Sequence, residues 1–288
     1  MRFGLSTHLY HGERLARRHF EAVAGAGFNL VELFATRTHL DYGDSRHLAA
    51  IKAWLADLGI AAGSMHLPIS TGVTGGVWGR PYSNASADPS ARQEAVDETV
   101  AALHAAAELG CGIGVLHLGL PHELQTSPSD NSVAAMRRAL EPIAAAAGAV
   151  GVQLALEVIP NDLSSPEALR GLFDGQLELG NAAICLDVGH AHLLGGAPDA
   201  AETLSGHVIT THIHDNRGAG DEHLVPFAGT IAWPQTLMAL SKTGYQGALV
   251  FEVADAGDAP GVLERTVGAR RRLQAILDEL GAAIEFEE

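Results

Sequence analysis

Short apolar runs alternate along the chain with longer stretches of helical periodicity. The pattern predicts eight strands, at Phe3–Ser6, Asn29–Phe34, Ile60–His66, Gly112–His117, Gln153–Val158, Ala182–Asp187, Val208–His212 and Ala248–Val253. Helices are predicted at about 13–25, 45–58, 90–109, 131–149, 166–175, 199–205, 233–243 and 260–281. Strict alternation of strands and helices is typical of a parallel sheet with helical crossovers. Eight such units predict an α/β fold, a closed (β/α)8 TIM barrel.

The alternative fold is a doubly wound sheet, which usually carries a glycine-rich turn directly after its first strand. Here the first strand is followed by Thr7–Gly12, which is not such a turn. The glycines at 110–114 lead into a strand rather than follow one, so they do not favour a nucleotide loop. Because no linker or charge block divides the chain, residues 1–288 are predicted to form a single domain.

One predicted connection, residues 68–89, is unusually long and is rich in Gly, Ser and Pro. Loops of this length in compact domains are commonly lids or binding loops, or else disordered. We favour a lid over a disordered insertion because the segment contains Trp78, Arg80 and Tyr82. Aromatic side chains such as that of Trp78 could stack on a ligand.

Six consecutive predicted strands end on a residue that can bind a divalent metal. These strand-end residues are His66, His117, Glu157, Asp187, His212 and Glu252. In a (β/α)8 barrel the carboxyl ends of the strands form the active-site face. Glu157, Asp187 and Glu252 lie inside apolar sequence, where a buried charge needs a partner. Since no lysine is nearby, a metal ion is the expected counter-ion.

Two further groups extend this set of ligands. His190 lies one turn beyond Asp187, and Asp221 and His223 lie in the loop after the seventh strand. A mixture of imidazole and carboxylate suits zinc, manganese or iron(II) better than calcium or magnesium. We therefore expect one to three divalent ions, most simply zinc or manganese. A single histidine at a strand end is more often a packed core residue, so the prediction rests on the whole set.

Composition narrows the range of partners. The 288 residues include 18 Lys and Arg against 34 Asp and Glu, which gives a formal net charge of −16 at pH 7. A chain this acidic is poorly suited to nucleic acid or to an anionic membrane surface. Cys111 and Cys185 lie in apolar runs and are predicted to be reduced core residues, as in a cytoplasmic protein. No membrane partner is expected, and a homo-oligomer is left open.

Three motifs carry a resemblance to a known family. They are ICLDVGHAH at 184–192, THIHDNRG at 211–218 followed by DEH at 221–223, and the FEV that ends the last strand. With these motifs the chain resembles the xylose isomerase-like TIM-barrel superfamily, which includes sugar isomerases and epimerases and also endonuclease IV. The likeness to the epimerases implies four ligands for a central metal, Glu157, Asp187, His212 and Glu252. The likeness to endonuclease IV, which holds three zinc ions, implies five more, His66, His117, His190, Asp221 and His223.

The chain departs from this family at two places. Many relatives carry Pro-Gly-x-Gly-x-Ile-Asp-Trp where this sequence has Pro226–Trp233, with one glycine and the acid replaced. Xylose isomerase itself has a lysine two residues after the acid of its fifth strand, and here that position is Ile159. The second departure argues against the hydride shift of xylose isomerase.

The resemblance implies a divalent-metal-dependent isomerase or epimerase. Its substrate would be a sugar, a sugar phosphate or a polyol-derived keto compound, and the reaction a proton transfer through an enediolate. Glu157 and Glu252 would serve as acid and base. The expected substrate contacts are His190, Arg217, Glu32 and Trp78. Pairing of Glu32 with an arginine is the alternative for that residue.

The alternative function is a metal-dependent phosphodiesterase or abasic-site endonuclease of the endonuclease IV type. The nine implied ligands favour it, because attack on phosphorus by a metal-activated hydroxide uses a cluster of ions. The net charge opposes it, because DNA binding needs phosphate contacts from a basic face. A metal-binding protein without enzymatic activity is the third interpretation.

Overall fold

Eight parallel strands close into a barrel in the computed structural model, which describes residues 1–175, 180 and 182–285, without the side chains of 282–285. The barrel strands are β1 (Arg2–Ser6), β2 (Leu30–Phe34), β3 (Ala61–His66), β6 (Ile113–Leu116), β7 (Gln153–Glu157), β8 (Ala183–Asp187), β9 (Val208–Ile213) and β10 (Ala248–Phe251). They follow one another around the barrel in chain order, and β10 pairs with β1. The predicted (β/α)8 barrel is confirmed. The single domain over 1–288 stays a prediction, and residues 176–179, 181 and 286–288 lie outside the described part.

Nine α-helices are assigned within the described residues. They are α1 (Arg17–Gly25), α2 (Ser45–Leu58), α3 (Pro89–Leu109), α4 (Val133–Val150), α5 (Pro166–Gly175), α6 (Val188–Leu193), α7 (Ala197–Thr203), α8 (Trp233–Lys242) and α9 (Ala259–Glu285). Periodicity predicted one helix after the sixth barrel strand, whereas the structure has two, α6 and α7. Helix α6 spans too few residues for a periodic signal, and its start is set by Asp187, whose Oδ1 accepts from the His190 amide at 2.7 Å.

The alternation of residues along each strand positions the site. A small apolar cluster fills the barrel interior and consists of Val115, Ala155 and Cys185. Since strand residues alternate between the two faces, residues two positions further along face the same interior. These residues are His117, Glu157 and Asp187. The opposite faces of the strands pack against the helices in the main core, where Leu116, Leu156 and Leu186 are buried.

The long connection at 68–89 forms an ordered hairpin. Its strands are β4 (Val73–Thr74) and β5 (Val77–Trp78), which pair antiparallel. Further hydrogen bonds join the two arms, from Gly79 N to Gly72 O at 2.8 Å and from Tyr82 N to Ile69 O at 2.9 Å. The hairpin extends from the carboxyl end of β3, so it stands beside the mouth of the barrel.

Two sequence predictions concern the environment of the chain. Cys111 and Cys185 are both buried and unpaired, as predicted for reduced core residues. Across the described ranges, none of the helices is both long and apolar enough to cross a bilayer.

Candidate active site and metal centre

Four strand-end side chains converge at the mouth of the barrel. Glu157, Asp187 and His212 come from β7, β8 and β9, and Glu252 directly follows β10. Each offers one ligand atom, and these four atoms lie within 4.8 Å of one another. All four residues are buried. The three carboxylates would repel one another without positive charge between them, so this central cluster favours a positive charge.

His212 is oriented by a carboxylate beneath it. Its Nε2 donates to Glu32 Oε2 at 3.0 Å, and Ser64 Oγ donates to the same oxygen at 2.8 Å. Because an ionised carboxylate can only accept, His212 Nε2 donates to Glu32, and Nδ1 is the atom that a cation would take once its proton is lost. Nδ1 faces the central cluster, 3.0 Å from Glu157 Oε1 and 3.3 Å from Glu252 Oε2. This carboxylate–histidine arrangement is the one that orients metal-binding imidazoles.

A second cluster shares Glu157 and adds His66 and His117. The Nε2 atoms of the two histidines lie 3.2 and 3.0 Å from Glu157 Oε2. The His66 Nδ1–H donates to the Leu67 carbonyl oxygen at 2.9 Å, which leaves its Nε2 free for the cluster. His117 Nε2 and Glu157 Oε2 are close but lack the angles of a hydrogen bond, and both are buried without a partner among the described residues. A cation between them would satisfy both atoms.

The third cluster contains His190, His214, Asp221 and His223. The Nδ1–H groups of His190 and His223 donate to backbone carbonyls at 3.0 and 2.7 Å. Their Nε2 atoms therefore point inward, 3.1 and 3.0 Å from Asp221 Oδ2. The nine residues that resemblance named as ligands are thus brought together in three adjacent clusters, and their binding of metal stays a prediction.

His214 is a member of the third cluster that sequence reasoning missed. Its Nε2 lies 3.1 Å from Asp187, and its buried Nδ1 lacks a hydrogen-bond partner among the described residues. The space for the ring exists because residue 189 is glycine, where a Cβ would come within 2.0 Å of His214 Cε1. Alternation along the strand could have found His214, because it lies two residues beyond His212 and shares its face.

The electrostatics of these clusters favour positive charge. Burial opposes ionisation of Glu157, yet His117 and His212 outweigh it and hold the pKa of Glu157 well below its usual range. Burial likewise disfavours charge on His223, but the Asp221 carboxylate dominates and raises the pKa of His223 to about 9. His190 shows the same balance, with Asp187 and Asp221 raising its pKa well above the ordinary value. A site that attracts protons this strongly offers the same carboxylates to a divalent cation.

The donor set also fits such an ion. Imidazole nitrogen and carboxylate oxygen are ligands of zinc and manganese, and several of these donors are already oriented by backbone carbonyls or by Glu32. Neither an ammonium nor a guanidinium group stands among the described side chains that form the three clusters. The residues present therefore fit the metal that the sequence predicts.

A cavity of about 470 Å³ opens above the three clusters. Its floor includes Glu157 and Glu252, and one wall is a stack of aromatic rings, the aromatic wall. The aromatic wall consists of Trp78, His11 and His8, with ring centroids 4.9 Å apart for the first pair and 4.6 Å for the second. His8 and His11 come from the short 3₁₀ helix Thr7–Tyr10 and the residue after it. The sequence indicated Trp78 alone, since a turn after the first strand has no pattern that marks its side chains as neighbours of residue 78.

The four predicted substrate contacts are placed differently. His190 and Trp78 line the cavity. Glu32 lies beneath it, fully buried, with His212 and Ser64 as partners rather than an arginine. The side chain of Arg217 is 60% exposed and pairs with Glu222, outside the cavity wall. Glu32 and Arg217 were predicted as substrate contacts from their positions at a strand end and in a loop. Position along the chain does not indicate which side chains they pair with.

The altered motif at 226–233 has a structural consequence. Phe227 replaces a glycine of many relatives and adopts a left-handed backbone conformation with φ of 74°. Such a conformation is strained for a residue with a Cβ. The retained Gly229 packs against Asp215 and Asn216, and a Cβ there would come within 2.3 Å of both. This segment therefore keeps the glycine that close packing requires.

Comparison with known proteins agrees with this architecture. The sequence model of xylose isomerase-like TIM barrels matches residues 20–277. An uncharacterized protein of Methanocaldococcus jannaschii is 27% identical over 266 residues, 90% of this chain and 86% of that protein. The crystal structure of a D-tagatose 3-epimerase-like protein superposes with a TM-score of 0.81 at 24% identity, covering 99% of this chain and 100% of the other. An L-ribulose 3-epimerase superposes with a TM-score of 0.78 at 19% identity, covering 100% and 98%. Since the family match spans most of its length, this chain belongs to the xylose isomerase-like TIM-barrel family.

Proposed function

We propose that this protein is a divalent-metal-dependent sugar epimerase or isomerase that transfers a proton through an enediolate. The observation that carries the proposal is that Glu157 and Glu252 share one metal-competent cluster and both line the same cavity. They arise from β7 and β10, which are separated in the barrel by two strands. A substrate between them would present different faces to the two carboxylates.

The chemistry follows from these positions. Bound in the central cluster, zinc or manganese would polarise a substrate carbonyl and stabilise the charge of the enediolate. Glu157, whose pKa lies well below its usual range, is ionised and can accept a proton from the carbon beside the carbonyl. Glu252 can return a proton from another side, which inverts the carbon. The similarity to structures named as a D-tagatose 3-epimerase-like protein and an L-ribulose 3-epimerase supports this reaction class.

Exchange of substrate hydrogen with solvent tests the proposal. A panel of ketoses and aldoses in deuterated water, with manganese or zinc supplied, should gain deuterium at the carbon beside the carbonyl in at least one sugar. Glu252→Gln should lower that exchange roughly 10²–10⁴-fold, the usual contribution of a general base. Glu123→Gln is the matched control, because Glu123 lines the same cavity outside the three clusters. Absence of exchange across the panel would contradict the proposal, and undiminished exchange in Glu252→Gln would assign the proton transfer to other groups.

A phosphodiesterase is the second candidate, and the three adjacent clusters favour it. If the outer clusters hold ions, purified protein should contain more than one metal per chain, and His117→Ala should lower that content. Strictly one ion, unaffected by this change, would leave His117 as a contact to substrate or to Glu157. Cleavage of DNA containing abasic sites, without any deuterium exchange, would favour the phosphodiesterase.

A further inference from the structure

A second cavity adjoins the loop that carries Asp221 and His223. Its volume is about 440 Å³, and it opens between residues 222–228 of that loop and helix α9. Glu222 and His223 line both this second cavity and the active-site cavity. The Ala254 amide donates to the His223 carbonyl oxygen at 3.0 Å and ties the loop to the end of β10, so the loop separates the two cavities. A volume of this size is typical of small-molecule sites in proteins.

One face of α9 supplies the second cavity with open space and positive charge. Its lining includes four residues at spacings of three and four along the helix, which places them on one face. They are Arg265, Gly268, Ala269 and Arg272. The two small residues leave room between the two arginines, and a Cβ at Gly268 would meet no atom of the described chain within 4 Å. Glycine weakens a helix interior relative to alanine, so this position keeps its open space at a cost to helix stability.

The two arginines of this face are available to an anion. The Arg272 guanidinium lies 3.6 Å from the centroid of the Phe227 ring, and no carboxylate of the described residues lies within 4 Å of it. Arg265 lies 3.7 Å from Asp258 Oδ2, with both side chains more than half exposed. An ion pair this exposed contributes little, so Arg265 can exchange its partner. Glu222, the acid of the described lining, is already paired with an arginine outside the second cavity.

A strained residue forms part of the apolar wall. Phe227 has a φ of 74°, a conformation that residues with a Cβ seldom adopt. Its amide donates to Asp215 Oδ2 at 2.8 Å, and its ring centroid lies 5.9 Å from that of Trp233. These buried partners hold the residue on one side, while its ring faces Arg272 on the other. Strained backbone is concentrated at binding sites and switch regions, so this wall is a candidate for a ligand contact.

The two cavities differ in charge. The described lining of the active-site cavity contains no Lys or Arg, and its acids include Glu123, Glu157 and Glu252. The second cavity brings two guanidinium groups to an apolar surface, in a chain of net charge −16. Arginine pairs with carboxylates through charge-assisted hydrogen bonds, and apolar walls take up an aromatic or aliphatic body. The ligand that matches both features is an organic carboxylate.

We propose that the second cavity binds an organic carboxylate with an apolar body, held by Arg272 and Arg265 and packed against Phe227 and the small residues of α9. The occupant lies against the loop that carries Asp221 and His223, so it restrains that loop from outside the active site. This site is additional to the proposed epimerase activity and does not depend on it.

Fluorine NMR tests the site directly. The metal-loaded protein would be titrated with para-trifluoromethylbenzoate and, separately, with the neutral amide of the same shape. We expect the carboxylate to bind at least about tenfold more tightly than the amide, because hydrogen bonds to a charged group are stronger than those to a neutral one. Equal affinities, or no binding of the carboxylate, overturn the proposal.

Substitutions on α9 locate the bound carboxylate. Arg272→Gln should weaken its binding about tenfold, since the charge is removed. Arg271→Gln is the matched control, because Arg271 is the adjacent exposed residue and lies outside the second cavity. Gly268→Leu should abolish binding by filling the space between the arginines, and it should fold, because leucine favours a helix more than glycine does.

The results that contradict the proposal are distinct. An equal loss of binding in Arg271→Gln would assign the effect to general surface charge. Binding that survives both Arg272→Gln and Gly268→Leu would place the carboxylate on the metal clusters instead. Either result overturns the second site and leaves the epimerase proposal intact.

Hydrogen exchange of backbone amides gives an independent localisation. The bound carboxylate should slow exchange in residues 222–228 and in the adjoining part of α9, with the hairpin at 68–89 unchanged. Protection confined to the hairpin, or none in the loop, would overturn the proposal, because the hairpin borders only the active-site cavity among the two.

Discussion

Glu157 and Asp215 are both fully buried acids at the mouth of the barrel, yet their surroundings differ. Within the described part of the chain, the oxygens of Asp215 accept only from N–H groups of its own loop and of the helix that follows. These donors are the amides of Asn216, Phe227 and Ile231 and the indole Nε1 of Trp233, at 2.8–3.1 Å. The Oε1 of Glu157 instead accepts from the imidazole of His212, and its Oε2 has no hydrogen-bond partner among the described residues.

The difference teaches that burial of an acid does not by itself indicate a functional site. The charge of Asp215 is fully satisfied by fixed donors, so it has nothing left to offer a ligand. Its role is to hold the loop that carries Asp221 and His223 against α8. Glu157 is surrounded by groups that can themselves bind a metal, and an unsatisfied oxygen faces them. Three substitutions would sharpen or break this contrast.

Removal of the Glu157 carboxylate should have the largest effect on function. Glu157→Ala deletes a residue that two of the clusters share. It leaves the central cluster with fewer ligands and less negative charge to bind a cation. We expect loss of the central metal and a decrease in deuterium exchange of at least roughly 10²-fold. Elemental analysis of protein purified without a histidine tag measures the first, with Glu123→Ala as control. One full equivalent of metal in Glu157→Ala would contradict the prediction that Glu157 is a ligand of the central metal.

Loss of Asp215 should affect stability instead. Asp215→Ala leaves several buried N–H donors without acceptors, and each such group costs about 1–3 kcal/mol. We expect the free energy of unfolding to fall by roughly 3–5 kcal/mol, as denaturant titration would show. The folded fraction should keep the metal of the central cluster, because Asp215 belongs to none of the clusters. A variant of unchanged stability that loses this metal would reverse the assignment of the two acids.

The smallest effect is expected beneath the site. Glu32→Gln keeps the size of the side chain but weakens the carboxylate that orients His212. Loss of such a partner typically lowers metal affinity about 10–100-fold. Competition with a chelator would measure this decrease, and saturating metal should restore deuterium exchange. If Glu32 contacted substrate, deuterium exchange would stay low at saturating metal. That result would support the prediction that Glu32 binds substrate.

Much of the fold was open to prediction because it depends on local periodicity. The alternation of strands and helices predicted the barrel, and the position of Glu157, Asp187 and Glu252 at strand ends predicted that they converge. Parallel strands in one barrel bring all their carboxyl ends to one face, so position along each strand is enough. Helix α6 was not predicted, because its six residues are too few to show a helical period.

The partners of these residues were decided by the tertiary structure. His212 and Glu32 are 180 positions apart, and Trp78 meets His11 through a hairpin whose register no alternation pattern specifies. The sequence alone determined which strand-end side chains stand at the barrel mouth. Contacts between distant segments decided which of these side chains are already paired, as Arg217 is with Glu222, and which are left for a ligand. Hydrogen-bond partners are set by three-dimensional packing rather than by spacing along the chain.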